Sequence, residues 1–358
     1  MFTTYSIAVL SGDGIGPEVM AVAKELTQVA AERAGRRMQY QDLPAGAQHY
    51  LDSGESLPET TLQACRDADA ILFGAMGLPH VRGQDGTEII PQLDIRFALD
   101  LYAGVRPVRT WPGLPIPLAD PRAQHIDLVL VRENTEGLFW ARGRGTVDAD
   151  GASDTMRITR KGTTRIVDFA LQLAAQRQAQ GRPGHVTNVD KANVFRSMAY
   201  WRDIFTERAS HWPQLQTSHA YVDAMALNLV LKPWQYDVLV TENMFGDILS
   251  DLIAALVGGM GMAPSGDIGD QHGLFQPAHG TAPDIAGLGI ANPTAMILSA
   301  AMMLQWLAHR NQDLALTDAA NALERAVRQV FESGKVRPRE FGGNSGTRDI
   351  AQAILEQL

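Results

Sequence analysis

The sequence predicts an α/β protein, because short apolar runs alternate with segments of helical periodicity along the chain. The first apolar run, residues 6–10, leads into a glycine-rich turn, and Pro17 then suits the first turn of a helix over residues 19–34. Three later runs each begin at an aspartate and end in a polar or glycine-rich loop: 69–73, 127–131 and 237–240. Such runs are typical of strands buried on both faces, and active groups of these sheets gather just beyond the strand ends.

Long helices are expected in five further segments: 162–180, 194–209, 246–257, 293–309 and 316–333. Two stretches are expected to be irregular. Residues 107–121 contain five prolines and are expected to connect two domains. Residues 141–157 are rich in glycine, aspartate and arginine and are expected to form an exposed arm.

Composition bounds the class of protein. The 358 residues include 31 basic and 40 acidic side chains, and the resulting charge of −9 argues against nucleic acids and acidic membranes as partners. A chain of this length is expected to form about two domains. A single cysteine, Cys65, excludes a disulfide framework and a multi-cysteine metal site, and its apolar neighbours favour an inert buried thiol. The first ten residues lack signal-peptide features and no apolar stretch is long enough for a bilayer, so we expect a cytoplasmic protein.

Residues 242–251 carry the strongest local signal for a site. If a helix begins near Asn243, then Asp247 and Asp251 share one face, where two like charges destabilise an isolated helix. A divalent cation between them would remove the repulsion, and hard oxygen ligands favour Mg²⁺ or Mn²⁺ over Zn²⁺. The alternative is a solvated acidic face near a helix N-terminus, where the helix dipole favours carboxylates.

Arg96, Arg106 and Arg132 form a second set of candidates. Arginines at strand ends suit forked hydrogen bonds to carboxylates. An ordinary salt bridge explains any one of them better, whereas three together in an acidic protein indicate an anionic ligand.

Lys191 and Asp223 each follow an apolar run of their own. A lysine among carboxylates and a metal can have a tuned pKa and move protons. Without that context, Lys191 is better explained as a surface lysine.

Two glycine-rich loops are candidates for a cofactor site. Residues 12–16 do not match G-x-G-x-x-G, and Asp13 would repel a pyrophosphate, so a Rossmann fold is not expected. Residues 279–293 can present backbone amides and small side chains to a flat ligand. Within them, Asp284 suits the hydroxyl groups of a ribose and would repel a 2′-phosphate.

Together these segments resemble the β-decarboxylating dehydrogenases, the isocitrate and 3-isopropylmalate dehydrogenase family. The matching stretches follow the family order and cover nearly the whole chain: GDGIGPEV (12–19), LYAGVRP (101–107), VRENTEG (131–137), VDKANV (189–194), YVDAMA (221–226), TENMFGDILSD (241–251) and HGTAPDIAGLGIANP (279–293). The resemblance implies two α/β domains sharing a large mixed sheet. It places a discontinuous cofactor-binding domain at 1–101 and 256–358. A substrate, metal and dimerisation domain would occupy 102–255, with an arm near 136–160.

The resemblance also implies a role for each candidate residue. The substrate carboxylates would be held by Arg96, Arg106 and Arg132. Mg²⁺ or Mn²⁺ would be bound by Asp223, Asp247 and Asp251. Lys191 and Asp223 would be the catalytic residues and would reach the site from the partner subunit, which implies a homodimer. The adenosine half of the cofactor would contact His279, Gly280, Thr281, Ala282, Pro283, Asp284, Ile285, Asn292 and Glu340, and Asp284 followed by Ile285 looks like the NAD-preferring version.

The implied activity is NAD-dependent, divalent-metal-dependent oxidative decarboxylation of a 2-hydroxy-dicarboxylic acid. The first expectation is 3-isopropylmalate or a close 3-substituted malate, whose substituent would meet Gln92, Leu93 and Val194. Tartrate or D-malate is the next alternative, followed by isocitrate or homoisocitrate. A non-catalytic binding or regulatory subunit is the alternative of another class, although keeping the lysine, the three aspartates and the three arginines argues against it.

Two positions depart from the family pattern. Phe139 stands where the family usually has a tyrosine that helps to protonate the enol, and phenylalanine cannot donate a proton. Either another acid or water does so, or decarboxylation is slow or absent. Gln276 stands where a glutamate commonly precedes the His-Gly turn.

Overall fold

The computed structural model describes residues 2–83 and 86–358, and the chain divides into two compact units. Unit 1 consists of Met1–Asp100, Trp111–Pro115 and Gly258–Leu358. Unit 2 consists of Leu101–Thr110 and Ile116–Val257. The first and last hundred residues therefore build one unit, and the middle of the chain builds the other.

Within the described residues the strands are β1 Thr3–Gly12, β2 Arg36–Asp42, β3 Ala70–Ala75, β4 Ala103–Arg109, β5 Asp127–Glu133, β6 Thr146–Val147, β7 Ala152–Ser153, β8 His185–Asp190, β9 Gln216–Tyr221, β10 Val238–Thr241, β11 Pro264–Ile268 and β12 Gly273–Pro277. The α-helices in the same part of the chain are α1 Gly16–Arg33, α2 Ala47–Ser53, α3 Glu59–Asp67, α4 Pro91–Ala98, α5 Arg160–Ala179, α6 Arg196–Ala209, α7 Val222–Leu231, α8 Asn243–Ala255, α9 Thr294–Asn311, α10 Leu314–Glu332 and α11 Thr347–Leu355. The α/β class with a large mixed sheet is confirmed, and each predicted long helix is present within a few residues of its expected bounds.

In unit 1 the strand order is β2–β1–β3–β12–β11, with β11 antiparallel to β12 and the other pairs parallel. Helices α1, α9, α10 and α11 pack against one another and bury a continuous apolar core. In α10 the buried residues Leu316, Leu323, Val327 and Val330 recur at helical spacing, which explains the position of this helix. Cys65 in α3 is fully buried, and burial raises the pKa of its thiol to about 12, as expected for an inert thiol.

In unit 2 the strand order is β4–β5–β10–β8–β9, with β4 antiparallel to β5 and the other pairs parallel. A second apolar core lies beneath helices α7 and α8 and includes Leu130, Leu239, Leu249 and Ile253. Parallel strands end at the same edge of a sheet, so the loops after β5, β10 and β8 are brought together.

The two stretches expected to be irregular, residues 107–121 and 141–157, both contain short pieces of β-strand. Pro107 lies inside β4, so the expectation of irregular structure is wrong there, because the fixed φ of proline suits extended backbone and pairing with β5 continues through it. Residues 146–153 contain the exposed two-stranded hairpin of β6 and β7. None of the helices in the described part of the chain combines the length and hydropathy that a membrane span requires.

Candidate functional site

The edge formed by the ends of β5, β10 and β8 collects most of the candidate residues in unit 2. Thr241 of β10 pairs in register with Arg132 of β5 on one side and with Val189 of β8 on the other. The residues that follow at this edge are the loop after Arg132, the start of α8 and the turn at Lys191.

Arg132 is the centre of this edge. Its side chain is only 4% exposed, and Asn243 Oδ1 accepts hydrogen bonds from its Nε at 2.9 Å and from its Nη2 at 2.7 Å. Its Nη1 forms an ion pair with the half-exposed carboxylate of Asp247. A β-carbon at position 246 would lie 2.6 Å from Cγ of Arg132, so Gly246 is what lets α8 pass this close to the arginine. Arg132 is thus fixed by the first turn of α8.

Helix α8 begins at Asn243, three residues before the predicted bound at residue 246, and buried Glu242 is its N-cap. The Glu242 carboxylate accepts hydrogen bonds from the backbone N–H of Met244 at 3.1 Å and of Phe245 at 2.7 Å. Burial raises the pKa of Glu242 above its usual range, and these backbone donors oppose the rise. The capping residue holds the helix end that presents Asp247.

Asp247 and Asp251 lie one helical turn apart on α8. Desolvation raises the pKa of Asp251, and the charge of Asp247 raises it further, whereas Arg106 and Arg132 oppose the rise. The repulsion expected from the spacing is therefore present, and part of the compensating positive charge comes from arginine. No three His, Cys, Asp or Glu side chains form a group that could hold a metal ion within residues 2–83 and 86–358, so Asp223 does not complete a ligand set with this pair in one chain.

Asp223 instead lies beside Lys191. Strands β8 and β9 pair so that Asp190 is opposite Tyr221, which places the residues after both strands next to each other. Lys191 Nζ donates a hydrogen bond to Asp223 Oδ1 at 2.7 Å, and this contact lowers the pKa of Asp223. The Tyr221 ring lies 5.9 Å from Lys191 Nζ. The structure thus gives the two predicted catalytic residues a direct contact.

A buried polar network that the sequence did not reveal fixes the backbone around Lys191. The fully buried Asp190 carboxylate accepts hydrogen bonds from Arg202 at 2.7 and 2.9 Å and from Asn188 Nδ2 at 2.6 Å. It also accepts the backbone N–H of Ala192 at 2.9 Å, and Trp201 Nε1 donates to Asn188 Oδ1 at 2.6 Å. The lysine therefore stands on a turn whose two flanking residues are both tied down.

The other two arginines lie on different elements. Arg106 is buried in β4, and its charge acts on Asp251 within unit 2. Arg96 belongs to α4 in unit 1, is 4% exposed, and pairs through Nη2 with Asp267 Oδ2 at 3.0 Å. Its Nε and Nη1 atoms are buried and have no hydrogen-bond partner among the residues that the structure describes.

Phe139 lies in a short 3₁₀ turn, Leu138–Ala141, directly after the loop of Arg132. Its ring centroid is 5.0 Å from Cζ of Arg132, which is the geometry of a cation–π contact. Phe139 therefore places an aromatic ring against Arg132, but this ring carries no hydroxyl group.

The proposed cofactor loop follows β12 in unit 1. His279 Nδ1 lies 2.9 Å from the carbonyl oxygen of Gly280, which can only accept, so Nδ1 carries the hydrogen. Burial lowers the pKa of His279, and the ring is neutral at pH 7 with Nε2 as an acceptor. That Nε2 atom is buried without a partner in the described part of the chain. Pro283, Asp284 and Gly287 are exposed, whereas Ile285 packs on the core.

The glycine-rich turn at residues 12–16 supports this loop, and Asp13 has a structural role. The Thr281 carbonyl accepts the backbone N–H of Ile15 at 2.8 Å. The Asp13 carboxylate accepts backbone N–H groups of Ala47 at 2.8 Å, Gln48 at 2.9 Å and Gly77 at 2.9 Å. It therefore caps α2 and ties down the segment after β3, consistent with the absence of a phosphate-binding turn here.

Asn292 and Glu340 are in direct contact beside this loop. Asn292 Nδ2 donates to Glu340 Oε1 at 2.6 Å, while its Oδ1 accepts from Thr294. Burial raises the pKa of Glu340, and the hydrogen bond from Asn292 opposes the rise. Both predicted residues are thus oriented by one short polar chain.

The three residues expected to meet the substrate substituent have different environments. Leu93 in α4 is buried, whereas Val194, beyond β8, is 60% exposed. Gln92 Oε1 is buried and has no partner among the described residues. Gln92 and Arg96 are one helical turn apart, so both unpartnered groups lie on one side of α4.

Glu133, which directly follows Arg132, is a further buried acid at this edge that the sequence motifs did not indicate. It is 1% exposed and accepts hydrogen bonds from the Thr135 hydroxyl at 2.6 Å, the Thr135 N–H and the Glu136 N–H. The Arg165 guanidinium lies 4.0 Å away. Burial raises the pKa of Glu133 to about 7. Its place in the sequence, as an acid next to Arg132 at the end of a buried strand, would have indicated Glu133 as a site residue.

Known proteins match this chain over nearly its whole length. Residues 6–354 match the family model described as isocitrate/isopropylmalate dehydrogenase. The chain is 39% identical to the 3-isopropylmalate dehydrogenase of Aquifex aeolicus, covering 99% of this chain and 97% of that protein. It is 42% identical to the 3-isopropylmalate dehydrogenase of Synechococcus sp., covering 99% and 98%. The crystal structure of isocitrate dehydrogenase from Methylococcus capsulatus matches with a TM-score of 0.87 and 36% identity over 99% of both chains.

Proposed function

The chain belongs to the isocitrate/isopropylmalate dehydrogenase family, and we propose that it oxidises and decarboxylates 3-isopropylmalate, or a close 3-substituted malate, with NAD⁺ and Mg²⁺ or Mn²⁺. One arrangement in the structure carries the proposal: the buried guanidinium of Arg132 stands against the acid pair Asp247 and Asp251. A ligand that is an anion and a metal chelator matches this combination. A 2-hydroxy acid has both properties.

The acid pair fits a divalent metal. Asp247 and Asp251 supply hard oxygen donors. Burial raises the pKa of Asp251 and the charge of Asp247 raises it further, so a cation beside the pair is favoured. We assign Asp223 of the partner subunit as the third carboxylate ligand. When bound, such a cation supplies Lewis-acid stabilisation of negative charge on the substrate oxygens.

The protein side chains then have separate tasks. Arg96, Arg106 and Arg132 bind the substrate carboxylates through charge-assisted hydrogen bonds. Lys191 moves the proton of the substrate hydroxyl, and its hydrogen bond to Asp223 at 2.7 Å holds the amine in place. Leu93 and Val194 meet the apolar substituent.

The cofactor loop fits an NAD molecule. His279 Nε2 is a buried acceptor without a protein partner in the described residues, and Asp284 is exposed for a ribose diol. A 2′-phosphate would be repelled by Asp284, so NAD is favoured over NADP. The adenosine half would contact residues 279–285, with Asn292 and Glu340 beside them. Unit 1 is therefore assigned cofactor binding, and unit 2 substrate binding, metal binding and dimerisation.

An exposed apolar face supports a homodimer. Leu227, Val230 and Leu231 of α7 are 60%, 46% and 59% exposed, and Asp223 lies one turn before Leu227 on the same face. A second copy covering this face would bring Lys191 and Asp223 to a shared interface. The segment near 136–160, which is exposed over residues 142–155, would contribute an arm to the dimer. A cytoplasmic location suits the free cysteine.

A second candidate substrate is a malate with a polar 3-substituent, such as tartrate. Gln92 Oε1 favours it, because this buried acceptor has no partner among the described residues and a substituent hydroxyl would satisfy it.

The test is a substrate panel with NAD⁺ and Mn²⁺, measured as NADH and CO₂. We expect 3-isopropylmalate to give the highest kcat/KM and Asp247→Asn to abolish turnover. Asp42→Asn, at an exposed aspartate of unit 1, is the matched control and should turn over normally. No NADH with any member of the panel would overturn the proposal and favour the non-catalytic subunit.

A further inference from the structure

The Arg96 side chain is held by Asp267, which Gln276 contacts in turn, and the family resemblance assigned a role to neither residue. Asp267 is 1% exposed in β11, and its Oδ2 accepts from Arg96 Nη2 at 3.0 Å. The same Oδ2 accepts from Gln276 Nε2 at 3.0 Å. A buried guanidinium needs a counter-charge, and Asp267 supplies it from a strand rather than from a mobile loop.

The positions of these two residues follow from strand pairing. Asp267 is opposite Leu274, and Gln276 is opposite Ser265, so Asp267 and Gln276 are diagonal neighbours on one face of the β11–β12 pair. The backbone of Gln276 is fixed as well, because its carbonyl oxygen accepts the Ser265 hydroxyl at 2.9 Å and the Ser299 hydroxyl at 2.8 Å. The amide is therefore aimed at Asp267 by the sheet itself.

The identity of residue 276 decides the charge of this cluster. A glutamate at position 276, which the family resemblance leads us to expect, would put two carboxylates within hydrogen-bond distance of each other. Like charges at that separation cannot both ionise, so one would keep a proton at neutral pH. With an amide at 276, Asp267 receives a hydrogen bond from Gln276 in addition to that from the arginine.

We propose that Asp267, assisted by the Gln276 amide, is a positioning residue that fixes the Arg96 guanidinium and leaves its Nε and Nη1 for a substrate carboxylate. The proposal rests on the proposed function in assigning Arg96 to the substrate. In this chain the acid that orients Arg96 is Asp267. Placing an amide at position 267 and an acid at position 276 would move that acid to the neighbouring strand. A fixed donor pair costs no reorganisation when the anion binds.

The experiment compares Asp267→Asn, Gln276→Glu and the double variant Asp267→Asn/Gln276→Glu. We expect Asp267→Asn to lower kcat/KM about tenfold, mainly through KM, because the arginine loses its anchor. Gln276→Glu should give a KM that rises with pH as the second carboxylate ionises. The double variant restores one acid and one amide and should recover to within about threefold of wild type.

A readout without substrate separates this proposal from the proposed function. In protein labelled with ¹⁵N-arginine, Arg96 of the wild type should show hindered rotation about Nε–Cζ, and Asp267→Asn should lose it. Asp313→Asn, which breaks the Arg36 pair of unit 1 at 2.6 Å, is the control and should leave both KM and the Arg96 signal unchanged. An unchanged Arg96 signal in Asp267→Asn, or strictly additive losses in the double variant, would overturn the positioning role. Absence of turnover in the wild type would count against the proposed function alone.

Discussion

Replacing Asn243 by leucine should loosen Arg132 and destabilise unit 2. Asn243 is fully buried, and its Oδ1 accepts from Arg132 at 2.7 and 2.9 Å while its Nδ2 donates to the Glu136 carbonyl at 3.1 Å. A hydrogen bond to a charged group contributes about 2 kcal/mol, and a neutral one about 1 kcal/mol. Because both arginine donors share one acceptor, we count them once. The loss is then about 3 kcal/mol, or about 6–12 °C in Tm for a unit of this size.

The assay is thermal and urea unfolding at fixed protomer concentration, together with KM for the dicarboxylate. We expect the leucine variant to lose stability as calculated and KM to rise about tenfold, since a mobile Arg132 binds a carboxylate less well. Asn243→Asp is the matched control, because it keeps the acceptor and adds a charge that the α8 N-terminus tolerates. It should lose less stability than the leucine variant and still raise KM. A loss below about 1 kcal/mol for leucine, or equal losses for both variants, would refute the role assigned to Asn243.

Three further results are expected. Phe139→Tyr adds a proton donor beside Arg132 and should speed CO₂ release relative to NADH formation, whereas an unchanged rate of CO₂ release would show that decarboxylation does not need this hydroxyl. Burial raises the pKa of Glu133 to about 7 from the ordinary 4.5, so the folded state binds this proton more tightly than the unfolded chain does. The resulting stability is complete below about pH 4.5 and is lost as the pH rises through about 7; Glu133→Gln should abolish that slope in urea titrations, and an unchanged slope would contradict the assignment. EDTA should abolish NADH formation, and added Mn²⁺ should restore it. The Asp251→Asn variant should need at least about tenfold more Mn²⁺ for the same activity. Equal Mn²⁺ requirements in the variant and the wild type would show that Asp251 is not a metal ligand.

The local parts of the fold and site were predictable from the sequence. The presence of α8 and the one-turn spacing of Asp247 and Asp251 follow from helical periodicity alone, although the helix begins three residues before the predicted residue 246. The placement of Arg132 follows from the rule that strand ends carry the active groups. The resemblance implied that Lys191 and Asp223 are both catalytic, but their direct contact was not predicted, because it depends on the register of β8 and β9.

The partners of these residues could not be predicted, because they come from distant segments of the chain. Asn243 lies 111 residues from Arg132, and Asp267 lies 171 residues from Arg96. Asp13 shows the same limit: the sequence fixes its place in a turn, whereas its role depends on the amides of Ala47 and Gly77. Periodicity indicates which face of a helix or strand is buried, but it does not indicate which polar group of another segment contacts that face.

The division of unit 1 between the two ends of the chain has a consequence for synthesis on the ribosome. Strand β3 pairs with β12, about two hundred residues later, and α9 and α10 cover a core to which α1 contributes. The first hundred residues therefore leave the exit tunnel with apolar surface that nothing yet covers, while all of unit 2 can emerge and fold in the meantime. Completion of unit 1 waits for the C-terminus, and the nascent amino-terminal segment is where we expect a chaperone to act. Pairing of β3 with β12 must close the long stretch of chain between them, and we expect this slow closure to be the late step of folding.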